Sequence, residues 1–229
     1  MRGYILLEGG AEFGGQMAEP DKRALELAGG LNAQVSIIPT AAVPDNNHQH
    51  AGQFGVRWFR HLGAKQVTLL PLIDRASANQ LTLATALRES RLIYLLGGFP
   101  HYLAQTLAGS LSWQAMLEAY DASAVIGGSS AGAMILCQHY YDPDTQRIVE
   151  GLNLVPRACL VPHHNTFGKR WASSLAPSVP DDVIVGVDEQ TGLINDGAAG
   201  EWSVLGKGTA TVYKGGRTKT YHSGEPLFL

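Results

Sequence analysis

The chain has 229 residues, enough for one domain whose core needs no staples, and charged residues make up only 16% of it. The net charge of −3, with no basic run, leaves no electrostatic footprint for nucleic acid. No apolar stretch approaches the ~18–20 residues of a membrane span, and the brief start Tyr4-Ile5-Leu6-Leu7 is too short for a signal peptide, so the expected setting is cytoplasmic, with Cys137 and Cys159 as reduced core residues.

In chain order, a strand is predicted at residues 4–7, followed by a helix over 21–28 that stops at Gly29-Gly30. A strand at 34–39 leads to a helix over 48–62 closed by Gly63, and a strand at 65–70 leads to a helix over 81–89. The strand at 91–96 precedes helices over 100–107, with Pro100 at its first position, and 112–119. A strand at 124–127, a helix over 131–139 and strands at 158–161 and 183–187 follow. Several strands are nearly continuous in Val, Ile and Leu, as strands buried on both faces should be. After about residue 193 the texture changes to short polar-aromatic strands at 209–213 and 219–221 around Gly215-Gly216. The rhythm predicts one α/β domain over 1–229: three layers, α/β/α, on a mostly parallel sheet with an antiparallel C-terminal edge.

The strongest chemical signal is Gly128-Ser129-Ser130-Ala131-Gly132, which matches the G-x-S-x-G nucleophile elbow and stands between a predicted strand and a predicted helix. Glycines two positions before and after Ser130 remove side chains that would clash in a tight turn. The turn lifts the hydroxyl to the C-terminal edge of the sheet, where open α/β sheets bind ligands, and the helix start aims N–H groups at a developing oxyanion. A glycine-rich turn that only packs strand on helix would carry the same motif; strand, elbow and helix in sequence favour catalysis. Ser129 is the weaker candidate, since neither glycine pair frames it. A serine needs a base, and the base an orienting acid. His163, in Leu160-Val161-Pro162-His163-His164-Asn165, ends one strand, and Glu189, in Val187-Asp188-Glu189-Gln190, follows another. The plainer readings are a surface histidine pair and a solvated carboxylate. A second oxyanion donor is expected on the strand-end loop Leu95-Leu96-Gly97-Gly98-Phe99.

These residues resemble the cyanophycinase and aspartyl-dipeptidase (dipeptidase E) group of serine peptidases, whose fold is similar to class I glutamine amidotransferases. The resemblance runs through Gly9-Gly10-Ala11-Glu12, Ile38-Pro39-Thr40-Ala41, Leu96-Gly97-Gly98, Gly128-Ser129-Ser130-Ala131-Gly132-Ala133, Pro162-His163 and Val187-Asp188-Glu189. It implies Ser130 as nucleophile, His163 as base, Glu189 as acid, and the backbone N–H groups of Gly98 and Ala131 as oxyanion donors. The chain departs from the group at Phe99-Pro100 and Val161-Pro162. Pro162-His163 looks more like the dipeptidase branch, although His164 stands where an aromatic is usual. The resemblance also implies an aspartyl residue at the cleaved bond, for which Lys169 and Arg170 are the nearest cations; the plainer reading is an exposed basic helix start.

Other features carry less. His48 and His50 beside Asp45 lack a third spaced metal ligand. The run Gly9 to Gly15 lacks the dinucleotide spacing but is placed to line the cleft. Cys137, about two helical turns past Ser130, cannot share the elbow, which argues against a working amidotransferase. Asp142 and Asp144 flank Pro143 in a turn and are the reserve for the triad acid. The expected activity is hydrolysis of short peptides through an acyl-enzyme, with no metal or organic cofactor required; the oligomeric state is open, a homodimer included. Two other readings remain: an esterase using Ser130, Asp196 and His222, and a non-enzymatic binder on an amidotransferase-like scaffold.

Overall fold

The apolar runs pair as buried strands and the amphipathic segments pack over them. The structure is a computed structural model, and it describes residues 2–175, 178–179, 181–198 and 200–229. The first half alternates β1 (Tyr4–Glu8), α1 (Ala18–Leu27), β2 (Gln34–Ile38), α2 (His48–His61), β3 (Gln66–Leu69), α3 (Leu81–Glu89) and β4 (Leu92–Leu95). There follow α4 (Pro100–Leu107), α5 (Leu111–Asp121), β5 (Val125–Ser129) and the short α6 (Ala131–Met134). Then come β6 (Cys137–Asp142), β7 (Arg147–Glu150), β8 (Val155–Val161), α7 (Lys169–Leu175) and β9 (Val183–Val187). The chain closes with β10 (Thr191–Ile194), β11 (Trp202–Gly206), β12 (Ala210–Lys214), β13 (Arg217–Tyr221) and β14 (Pro226–Leu227).

The first sheet runs β14-β11-β10-β1-β5-β4-β2-β3. Its five strands from β1 to β3 are parallel, and β10, β11 and β14 add antiparallel at the edge beyond β1. Strand alternation divides the core. Leu6, Val35, Ile37 and Tyr94 pack with Leu25 of α1 and Phe59 of α2. Ile5, Leu7, Ile93, Leu95 and Ile126 pack on the other face with Leu83 and Leu87 of α3, Leu103 of α4 and Met116 of α5. The three-layer α/β/α arrangement follows from those two faces.

Two features differ from the sequence reading. A second sheet, β13-β12-β9-β8-β6-β7, takes β8 and β9, which the βα rhythm placed with the others. The predicted helix over 131–139 stops at Met134, and its second half becomes β6. Tyr140 and Tyr141 suit a pleated, half-buried surface, and β6 pairs antiparallel with β7 and parallel with β8. Long-range pairing overrides the local helical pattern there.

The exit loop of β1 stitches the sheets together. The His163 N–H donates to the Gly9 carbonyl at 2.7 Å, and the Gln190 N–H donates to that of Gly10 at 3.0 Å. The Gly9 N–H donates to Thr191 O at 3.0 Å. The ends of β8 and β9 are thus drawn against the ends of β1 and β5. Among the described residues, no helix is long and apolar enough to cross a membrane.

Candidate active site

Ser130 follows β5 with φ 48° and ψ −112°, a conformation costly for a residue with a Cβ. Its surroundings hold it: the Ser130 N–H donates to Glu8 O at 3.0 Å, and Met134 N–H donates to Ser130 O at 2.9 Å. The flanking glycines are demanded by close backbone approach. A Cβ on Gly128 would sit 2.6 Å from the Gly132 carbonyl carbon, and one on Gly132 2.2 Å from Leu95 O. Because α6 is a single turn, any oxyanion stabilisation at this elbow comes from individual N–H groups rather than from a long helix dipole.

The side chain of Ser130 meets a histidine. His163 Nε2 lies 3.1 Å from Ser130 Oγ, and His163 Nδ1 lies 2.8 Å from Glu189 Oε1. His163 has left-handed backbone angles, φ 50° and ψ 39°, at the mouth of a wide turn over His164–Gly168. Its carbonyl accepts from the N–H groups of Thr166 and Gly168. The bend sends the two adjacent histidines opposite ways. His163 faces Ser130, whereas His164 is buried, with Nε2 2.8 Å from the Tyr213 hydroxyl and Nδ1 3.5 Å from Asp188. The turn also anchors the Glu189 backbone: Glu189 N–H donates to Asn165 Oδ1 at 2.9 Å. On its open side the His163 ring is stacked by Phe167, at 4.7 Å and 24°.

Glu12 links two strand ends. Its carboxylate accepts from Ser129 Oγ at 2.6 Å and from Gly97 N–H at 3.2 Å. The loop after β4 is thereby tied to the elbow, and Gly98 and Ser130 share one cavity. Gly98 has φ 137° and lies against Ala41, whose carbonyl a Cβ would approach to 2.3 Å. Ala131 opens α6 directly after Ser130. Beneath the elbow, burial holds the Glu8 carboxyl well above the usual carboxylate range, and burial raises Asp21 to about 7. The Glu8 carboxyl accepts from the Tyr94 hydroxyl, and Asp21 accepts from Trp58 Nε1 at 2.7 Å.

The other sequence candidates lie apart. Lys169 and Arg170 begin α7, but the cavity takes Phe167 and Trp171 from that segment. Asp142 accepts from Thr145 Oγ1 and Asp144 N–H, serving the turn. The Asp196 carboxylate takes Arg23 and Ser203 rather than a histidine, and the ring that meets Ser130 is that of His163, so the esterase grouping with His222 is not assembled. Cys137 is buried at the start of β6, where burial drives its thiol pKa up. Among the described residues, no group of three or more His, Cys, Asp and Glu is placed to hold a metal. Sequence reasoning set the run Gly9 to Gly15 along the cleft but gave Glu12 no role, and it missed Asn165 and Phe167 as parts of the site, whose only local signal is proximity to His163.

Residues 5–201 match peptidase family S51. The chain belongs to that family. This S51 chain is a serine-type peptidase, and its curated relatives include cyanophycinases. That of Synechococcus elongatus is 28% identical over 223 residues, covering 92% of this chain and 68% of the relative. That of Geminocystis herdmanii is 26% identical over 227 residues, covering 94% and 82%. Among solved structures, a peptidase from an acI-B1 Actinobacterium superposes with a TM-score of 0.87 at 27% identity, over 100% of this chain and 98% of that one. A putative peptidase E from Listeria monocytogenes EGD-e, at 21% identity and a TM-score of 0.67 over 91% of this chain and 100% of that one, shares the fold.

Proposed function

We propose that this S51 peptidase hydrolyses short peptides through an acyl-enzyme on Ser130, with His163 as general base and Glu189 as its orienting acid. The observation that carries the reading is the hydrogen-bonded chain from Ser130 Oγ through both ring nitrogens of His163 to Glu189 Oε1, at 3.1 and 2.8 Å. A carboxylate on Nδ1 selects the tautomer that leaves Nε2 free to take the serine proton, and it stabilises the imidazolium that results. Ser130 Oγ then bonds to the scissile carbonyl carbon, and the oxyanion falls to the N–H groups of Gly98 and Ala131. His163 returns the proton to the leaving amine as the C–N bond breaks. Water, deprotonated by the same nitrogen, then releases the acid product and regenerates Ser130. The cavity at Ser130, about 270 Å3, lies just below the usual range of small-molecule sites and suits short peptides rather than folded chains. The aspartyl preference rests on resemblance alone, since no Lys or Arg is among the described residues of the cavity wall.

The test is labelling by a small fluorophosphonate together with hydrolysis of a mixed dipeptide pool. Wild type should react in both. Ser130→Ala should abolish labelling and cut turnover by at least about a thousand-fold, and Glu189→Gln should cost about a hundred- to ten-thousand-fold. His222→Ala should match wild type. Full activity in His163→Ala would refute the assignment.

A further inference from the structure

The cavity that opens from Ser130, Gly98 and His163 has a wall unlike its reactive end. It is completed by Pro100, Met134, Pro143, Pro162, Phe167 and Trp171. None of these carries a charge, and the two rings meet edge to face at 5.3 Å, with Trp171 backed in turn by Tyr141 at 5.0 Å. Two carboxylates are held beside the reactive atoms, Glu189 behind His163 and Glu12 beside Ser129. An aspartyl side chain entering this cavity would lose water without meeting a Lys or Arg among the described residues of its wall, next to groups of its own sign.

We propose that the residue flanking the scissile bond is apolar, of leucine, methionine or phenylalanine size, and is received between Met134, Phe167 and Trp171; this rests on the peptidase reading above. The fit is one of chemistry and position. Proline rings and a methionine give an apolar floor, and methionine adapts to side chains of different shape. The aromatic pair closes the cavity on the side next to His163, whose ring Phe167 stacks at 4.7 Å. A small apolar pocket discriminates by size at about ten- to two-hundred-fold per methylene, and more strongly against charge.

The experiment measures kcat/KM on dipeptides and dipeptide amides in which either residue is Leu, Met, Phe, Ala, Asp or Arg, for wild type, Trp171→Ala and Phe167→Ala. Fluorophosphonate labelling of Ser130 is run in parallel, with thermal melts to establish that each variant is folded. At one of the two positions, Leu, Met or Phe should exceed Asp by at least about a hundred-fold. Trp171→Ala should shrink that ratio by about ten-fold or more while leaving Ser130 labelled. Arginine is included because its guanidinium also stacks on aromatic faces. Asp or Arg cleaved as fast as Leu, Met and Phe at both positions, or a ratio untouched in both variants, overturns the apolar assignment. So does a wild type that is labelled at Ser130 yet cleaves none of the panel. Absence of labelling in wild type instead overturns the serine-hydrolase reading itself.

Discussion

Gly10 is the residue on which the geometry of the proposed base most directly depends. A Cβ there would fall 2.2 Å from His163 Cε1, 2.7 Å from Nδ1 and 2.8 Å from Nε2. Ordinary carbon contact begins near 3.5 Å, so in Gly10→Ala the ring must retreat by about 1 Å or more. The loop cannot yield instead without breaking bonds, because Gly9 O and Gly10 O hold His163 N–H and Gln190 N–H. Gly10 also has φ 116°, which an alanine adopts only under strain of about 1–3 kcal/mol. A retreat of that size takes Nε2 from 3.1 Å to beyond hydrogen-bond reach of Ser130 Oγ. Misplacement by about 1 Å costs on the order of a hundred-fold in rate. Gly10→Ala should therefore lower kcat by about a hundred-fold or more and remain folded, with a reduced melting temperature. Gly14→Ala is the control from the same loop: its backbone is extended and no atom lies within 4 Å of the added Cβ. The assay is peptide kinetics on both variants beside thermal denaturation. A Gly10→Ala enzyme within about three-fold of wild type would refute the packing argument.

Two further outcomes follow from groups beneath the elbow. Glu12→Ala leaves the buried Ser129 hydroxyl and the Gly97 N–H without their acceptor, and should destabilise the protein by about 2–4 kcal/mol in urea unfolding. Glu12→Gln should recover part of that loss; no change in either would sink the bridging role. Asp21, raised by burial from 3.8 to about 7, binds a proton in the folded state that the unfolded chain has released. Its contribution is therefore fully present below about pH 4 and is lost as pH rises through about 7, a fall of up to about 4 kcal/mol. Asp21→Asn should make the fall of urea-unfolding stability between pH 4 and 7 shallower, with the raised Glu8 carboxyl supplying the remaining slope, and an unchanged slope would refute the assignment.

The sequence by itself determined the parts whose causes are local. Continuous Val, Ile and Leu runs specify parallel buried strands, and the alternation of β1 through β5 with helices was legible from them, helix ends included at Gly29-Gly30 and Gly63. The elbow was legible too, because a tight turn around Ser130 requires small residues within a five-residue window. That His163 and Glu189 stand beside Ser130 follows in the sequence only from resemblance and strand order; the distances come from contacts between residues far apart, such as His163 N–H on Gly9 O. The fate of residues 137–142 was likewise tertiary, since a segment of mixed pattern became a strand only when β7 and β8 offered it partners. Charge drew attention to Lys169 and Arg170, yet Phe167 and Trp171, four residues apart and so on one face of the turn and helix, are the ones that wall the cavity. Local pattern specifies which elements form; which face of an element meets the reactive serine is settled only when the two sheets are stitched together at the exit of β1.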